Sequence, residues 1–183
     1  PEPMIIDSHA HLRHGNPEQT EYTGEQIVRS LDEAGVDKSV AFAICTTATH
    51  AIEIARKAYN EFPDRLIPYA YALPHPERGI IDDLRSAIRD EGFRGIKIHC
   101  GECTVADYIT DPVLTLAGEM DVPCLIDFVG RVQELERIAA DYPDTRIIVA
   151  HLGQYLCTNR PLIDRFIAVA QEYENVLLDM TED

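Results

Sequence analysis

The chain has no tryptophan and only three lysines, Lys38, Lys57 and Lys97, against 32 aspartates and glutamates. Its formal charge of −16 argues against nucleic acid or an anionic membrane as a partner, because a phosphate surface requires clustered Lys and Arg. Acidity of this size fits a soluble acidic protein or one adapted to high salt, and it says nothing about fold. Long apolar runs are lacking too. None approaches the ~20 residues of a membrane span, and no basic segment, apolar stretch and small-residue cleavage site follow one another at the N-terminus. The expectation is a cytoplasmic protein. The five cysteines are too few and too scattered for a disulfide scaffold. Cys100-Gly101-Glu102-Cys103 has the C-x-x-C spacing of redox pairs and zinc knuckles, yet a knuckle needs a second such pair.

What is present is alternation. With 183 residues, 45% of them apolar, the chain suits one domain, residues 1–183, with a real core. Short runs rich in Ile, Val, Leu, Phe and Tyr predict strands at Met4–His9, Ser39–Cys45, Leu66–Leu73, Gly95–His99, Pro123–Phe128, Arg146–His151 and Asn175–Met180. Amphipathic segments with helix punctuation lie between them. Thr23 and Gln26 have capping-box spacing before a stripe of Ile27, Leu31 and Ala34 that stops at Gly35. Asp111-Pro112 reads as N-cap then first helical residue, ahead of Leu114 and Ala117. Val132, Leu135, Ile138 and Tyr142 make a third stripe, and Pro161 opens a last helix through Leu162, Phe166, Val169 and Tyr173.

Strand ends fall 24 to 36 residues apart with no sequence repeat, which is the rhythm of β-then-α units with parallel strands. An open doubly wound sheet and a (β/α)8 barrel both fit. A nucleotide-binding doubly wound fold would carry a Gly-rich turn after its first strand, where this chain has His-Ala-His. The barrel is the favoured fold. Such barrels typically take ~250 residues, so seven parallel strands predict an incomplete TIM-type barrel, expected to lack its C-terminal strand and helices.

The first strand ends "IIDSHAHL". Residues two apart on a strand share a face, so His9 and His11 should project together, with Asp7 below them. Two imidazoles so placed can bind one divalent ion. An isolated H-x-H is equally compatible with one core histidine and one loop histidine. Four further strands, however, also end in ionisable residues inside apolar runs: Lys97 and His99, Asp127, His151 and Asp179. A charge there is costly unless paired or metal-bound. In a barrel these ends converge on the face that carries active sites.

"IIDSHAHL", "GFRGIKIH", "DVPCLID", "YPDTRIIVAHLG" and "NVLLDMT", in this order, resemble the amidohydrolase-2 group of the amidohydrolase superfamily. That group includes metal-dependent TIM-barrel hydrolases and the aminocarboxymuconate-semialdehyde and γ-resorcylate decarboxylases. The resemblance implies that His9 and His11 ligate a divalent metal ion and that His151 acts as acid, base or substrate-orienting group. Lys97 and His99 would line the pocket. The family's fifth strand usually ends in a ligand histidine, whereas this chain has Asp127, which can ligate zinc and suits manganese or magnesium better than imidazole does. Zinc is the first expectation, manganese or magnesium the alternatives. The aspartate that the family's last strand supplies has no counterpart in residues 1–183.

The resulting expectation is a hydrolase whose activated water attacks an ester, lactone or amide carbonyl of a small-molecule substrate. Non-oxidative decarboxylation of an unsaturated or aromatic acid is the alternative, with Arg13, His14 and Lys97 as cations for the acid. A degenerate, non-catalytic barrel subunit is the third reading. An incomplete barrel also predicts self-association into a homo-oligomer. The loops His14–Tyr22, Gly101–Thr110 and Gln154–Arg160 carry no recognisable substrate code.

Overall fold

A computed structural model describes residues 3–12, 22–74, 79–154 and 159–181. Seven strands alternate with six helices: β1 (Ile6–Leu12), α1 (Gly24–Ala34), β2 (Lys38–Ala43), α2 (Ala48–Glu61), β3 (Leu66–Tyr71), α3 (Ile80–Asp90), β4 (Gly95–His99), α4 (Asp111–Glu119), β5 (Cys124–Asp127), α5 (Val132–Asp141), β6 (Ile147–Val149), α6 (Arg160–Glu172) and β7 (Val176–Leu178). All neighbours pair in parallel, in the order β1 to β7. The sheet curls so far that side chains from its two edge strands touch: His9 of β1 lies 2.6 Å from Asp179, just past β7. The architecture is an incomplete TIM-type barrel, as the strand spacing predicts.

Helix ends follow local chemistry. The Thr23 hydroxyl accepts the Gln26 N–H at 3.2 Å while the Thr23 N–H donates to the Gln26 side chain at 2.8 Å, and Gly35 closes α1 at φ 68°. At α4 the boundary shifts by one residue from the predicted one. Thr110 is the cap and Asp111 already belongs to the helix. The cause is tertiary: Asp111 is buried and receives Arg137 at 2.8 and 3.0 Å and the Tyr142 hydroxyl at 2.8 Å, fastening α4 to α5.

Burial alone would raise the Asp111 pKa, but the Arg137 and Tyr142 hydrogen bonds outweigh it and hold the carboxyl below its ordinary range. The unfolded chain therefore binds this proton more readily than the folded one. Stability from the network is complete above the ordinary aspartate value of about 3.9 and is lost as pH falls through the lower folded value. Asp111→Asn should cost about 1.5–3 kcal/mol at neutral pH. In urea titrations the gap from wild type should close only in strong acid; a pH-independent gap would rule the network out.

Strand ends differ from the predicted ones in an informative way. β1 starts and ends later than Met4–His9, because Ala10, His11 and Leu12 pair with Ala41, Phe42 and Ala43. β6 stops at Val149 rather than reaching His151, because His151 and Leu152 are left-handed, at φ 54° and 52°. β4 matches its predicted span. Inside the curl, Lys97 stands in register with Tyr71 on one side and Leu125 on the other. It is fully buried.

Candidate active site

The ionisable residues named above lie toward the C-terminal edge of the sheet, Lys97 below it at the middle of β4, and the structure draws most of them together. The β1 histidines meet as expected: their rings stack at 5.1 Å and their Nε2 atoms lie 3.1 Å apart. Phe42 of β2 packs edge-on against both, at 5.1 and 4.7 Å. Asp7 departs from expectation. A bulge places two residues of β1 (Ser8 and His9) against one of β2 (Val40), so Asp7 pairs with Ser39 while His11 pairs with Phe42. Ser39 and Phe42 are three residues apart on a regular strand and face opposite ways, so Asp7 is on the outer face. There its carboxylate accepts the buried Ser39 hydroxyl at 2.6 Å.

His9 is buried, and its Nδ1 donates to Asp179 at 2.6 Å. Burial lowers the His9 pKa, and the Asp179 hydrogen bond only partly offsets it, so the ring is neutral near pH 7. Asp179 is held far below the usual carboxylate range: burial opposes ionisation, but the bonds from His9, the Thr181 hydroxyl and the Thr181 N–H outweigh it. With its proton on Nδ1, His9 turns an Nε2 lone pair toward His11 and toward Lys97 Nζ, which is 3.5 Å away. Lys97 also lies over the Phe42 ring, 4.7 Å from its centre.

A second set forms beside the first. The Oδ2 of Asp127 lies 3.3 Å from His99 Nε2 and 3.8 Å from His151 Nε2. His151 links the sets, its ring 4.7 Å from that of His9. The left-handed turn over Ala150–Gly153 aims it there, and its Nδ1 donates to the Thr181 carbonyl at 2.7 Å. A neighbouring loop carries matching strain: Val129 has φ 49°, unusual for a β-branched residue. Because Val129 is 40% exposed, Val129→Gly should sacrifice little packing and raise stability by about 1 kcal/mol. Thermal melting would show it, and an unchanged or lower midpoint would count against stored strain.

Arg13 and His14 lie outside the described residues. Asp179 is the residue whose role the sequence reading missed. Its signal was present, a carboxylate closing the apolar run "NVLL", but nothing in the sequence paired it with His9 across 170 positions. Cys100 and Cys103 form no disulfide, and burial pushes their thiols up to about 12 and about 11. They are not poised as nucleophiles.

Among the described residues, no three His, Cys, Asp or Glu side chains converge closely enough to hold an ion between them as they stand. The β1 pair nevertheless suits one. Two nitrogens bound to zinc at ~2.0–2.1 Å and at ordinary coordination angles lie roughly 2.9–3.4 Å apart, which includes the observed 3.1 Å. A carboxylate on the outer nitrogen of a ligand histidine is the usual support for such a bond, and Asp179 supplies it to His9.

A parallel α/β barrel with a histidine–carboxylate cluster at its C-terminal strand ends defines the class of this protein. The chain belongs to the amidohydrolase family Amidohydro_2, whose model matches residues 6–182; the family is one of enzymes. No curated protein matches it in sequence. Among solved structures it is similar to the 4-oxalomesaconate hydratase of Rhodopseudomonas palustris, at 17% identity and TM-score 0.67, over 98% of this chain and 74% of that one. A 5-carboxyvanillate decarboxylase of Novosphingobium aromaticivorans, complexed with manganese and a nitrobenzoic acid, gives 17% identity and TM-score 0.68, over 96% and 74%. A zinc-bound amidohydrolase of Burkholderia multivorans gives 13% and 0.73, over 97% and 69%. Among the described residues no helix is long and apolar enough to cross a membrane.

Proposed function

We propose that this chain carries the site of a divalent-metal-dependent hydrolase acting on an ester, lactone or amide carbonyl of a small molecule. The observation that carries this reading is the His9–His11 pair, with Nε2 atoms 3.1 Å apart and His9 clamped by Asp179. His9 and His11 would hold the ion, with Asp127, the carboxylate of the second set, as the candidate oxygen donor. Zinc comes first by its preference for imidazole, manganese second by the carboxylate. A bound ion supplies Lewis-acid polarisation of a carbonyl and lowers the pKa of water toward ~7.

The chain's own residues supply the rest. His151 keeps its Nδ1 proton on the Thr181 carbonyl, so its Nε2, on the Asp127 side, is the nitrogen that would take up and return a proton during the reaction. Asp127, facing that Nε2 at 3.8 Å, stabilises the ring once it is protonated. Lys97 brings its buried amino group to the floor of the site, where it would donate to developing negative charge on a substrate oxygen.

The same buried amino group favours a second reading, decarboxylation, since it offers a hydrogen-bonding partner to a substrate carboxylate. Both are tested together. Chelator-stripped protein, reloaded with zinc or manganese, is assayed on a panel of lactones, esters and amides, and for CO₂ release from aromatic and unsaturated acids. Metal-restored carbonyl hydrolysis supports the proposal, and metal-restored CO₂ release alone selects the alternative. Undiminished turnover by stripped protein, or a purified protein that takes up no transition metal, would sink both and favour the non-catalytic reading.

A further inference from the structure

The Cys100–Cys103 turn is the motif that neither reading uses, and its backbone wraps around His99. The His99 carbonyl accepts N–H groups from Glu102 at 3.0 Å and Cys103 at 3.2 Å, and the Cys103 thiol at 3.5 Å. The Gly101 N–H donates to His99 Nδ1 at 3.1 Å. A ring nitrogen that accepts an N–H bond must present its lone pair, so in the neutral imidazole the proton sits on Nε2. That Nε2 is the atom 3.3 Å from Asp127 Oδ2.

The fully buried Asp127 carboxylate is held at one oxygen by a hydrogen bond, Oδ1 accepting the Val129 N–H at 3.0 Å, and at the other by the ion-pair approach of His99 Nε2 to Oδ2. Fixed in this way, Oδ2 also faces His151 Nε2 at 3.8 Å. The opposite tautomer of His99 would set a proton against the Gly101 N–H and a lone pair against the carboxylate, one repulsion in place of the Gly101 bond and another in place of the approach to Asp127. Glycine is required at the turn because a Cβ on Gly101 would stand 2.8 Å from His99 Cε1 and 3.0 Å from Nδ1. Any larger residue drives the ring away from the N–H that fixes it.

We infer that the Cys100–Cys103 turn is a tautomer lock. It holds His99 with its N–H on Nε2, and His99 is a positioning residue that sets Asp127 Oδ2 toward His151. The tautomer stands on geometry alone; its consequence for turnover rests on the function proposed above.

Long-range proton–nitrogen correlation spectra of the wild-type protein at about pH 8, above the ordinary histidine pKa of ~6.5, read the tautomer directly. His99 is assigned by the signal lost in His99→Gln. The expected pattern is protonated Nε2 and bare Nδ1; the reverse pattern, or averaging between the two, overturns the proposal. In Gly101→Ala the pattern should become averaged, and retention of a pure Nε2–H signature also counts against the lock. For turnover, His99→Gln keeps an N–H donor near Nε2 and should stay within about tenfold of wild type, whereas His99→Leu should fall by a further 10–100-fold. Equal losses in the two variants would refute the positioning role. If no substrate is turned over, or the variants fail to fold, the wild-type spectrum still decides the lock separately from the proposed function.

Discussion

His11→Ala is expected to abolish tight metal binding and to lower turnover more than 100-fold, beyond the ~10–100-fold typical of changes to groups that merely support a ligand. The size follows from the geometry. His9 and His11 supply the two nitrogens that stand at chelating distance, 3.1 Å apart, and one imidazole cannot chelate. Removing His11 leaves the His9–Asp179 bond and the β1–β2 register intact, so the fold should persist. Metal titration followed by competition with a chromogenic chelator measures the affinity, and circular dichroism confirms the fold. Because ligand nitrogens must be unprotonated, wild-type affinity should also weaken in acid. A variant that binds zinc as tightly as wild type would move the metal away from β1.

Much of this arrangement was legible in the sequence. Parallel strands buried on both faces announce themselves as short apolar runs, and an ionisable residue closing such a run is conspicuous. His9, Lys97, Asp127 and His151 could be read in that way, and β4 had its bounds read to the residue. Features set by tertiary contact were not legible. The bulge that turns Asp7 to the outer face depends on pairing between β1 and β2, not on any residue that marks a bulge. Asp111 reads as a cap by type, but Arg137 and Tyr142 draw it into α4. The pairing of His9 with Asp179 needs the curl of the whole sheet. The C-x-x-C spacing suggested redox or metal chemistry because spacing alone does not show that Gly101, between the cysteines, is the residue in contact with the site.

The turn that follows β6 gives the largest expected loss of stability. Gly153 has φ 86°, and a Cβ there would stand 2.4 Å from the ring of Phe166, a fully buried residue of α6. Gly153→Ala therefore combines about 1–2 kcal/mol for a left-handed L-residue with about 1–3 kcal/mol for overpacking, roughly 2–5 kcal/mol together. The damage would not stay local. The Gly153 carbonyl accepts the Gly130 N–H at 2.7 Å, and the Leu152 N–H donates to the Asp179 carbonyl at 2.8 Å, so this turn ties the β5–α5 loop to the end of β7. His151 sits two residues before Gly153 in the same left-handed run, with its ring packed against His9. A shift of the turn should therefore misplace the group assigned to proton transfer, as well as lowering the unfolding midpoint in urea. His151→Gln separates the two effects, since it removes the imidazole while leaving the Gly153–Phe166 contact alone. Turnover should fall in both variants and stability mainly in Gly153→Ala. If Gly153→Ala were as stable and active as wild type, the left-handed turn would not be what aims His151 into the site.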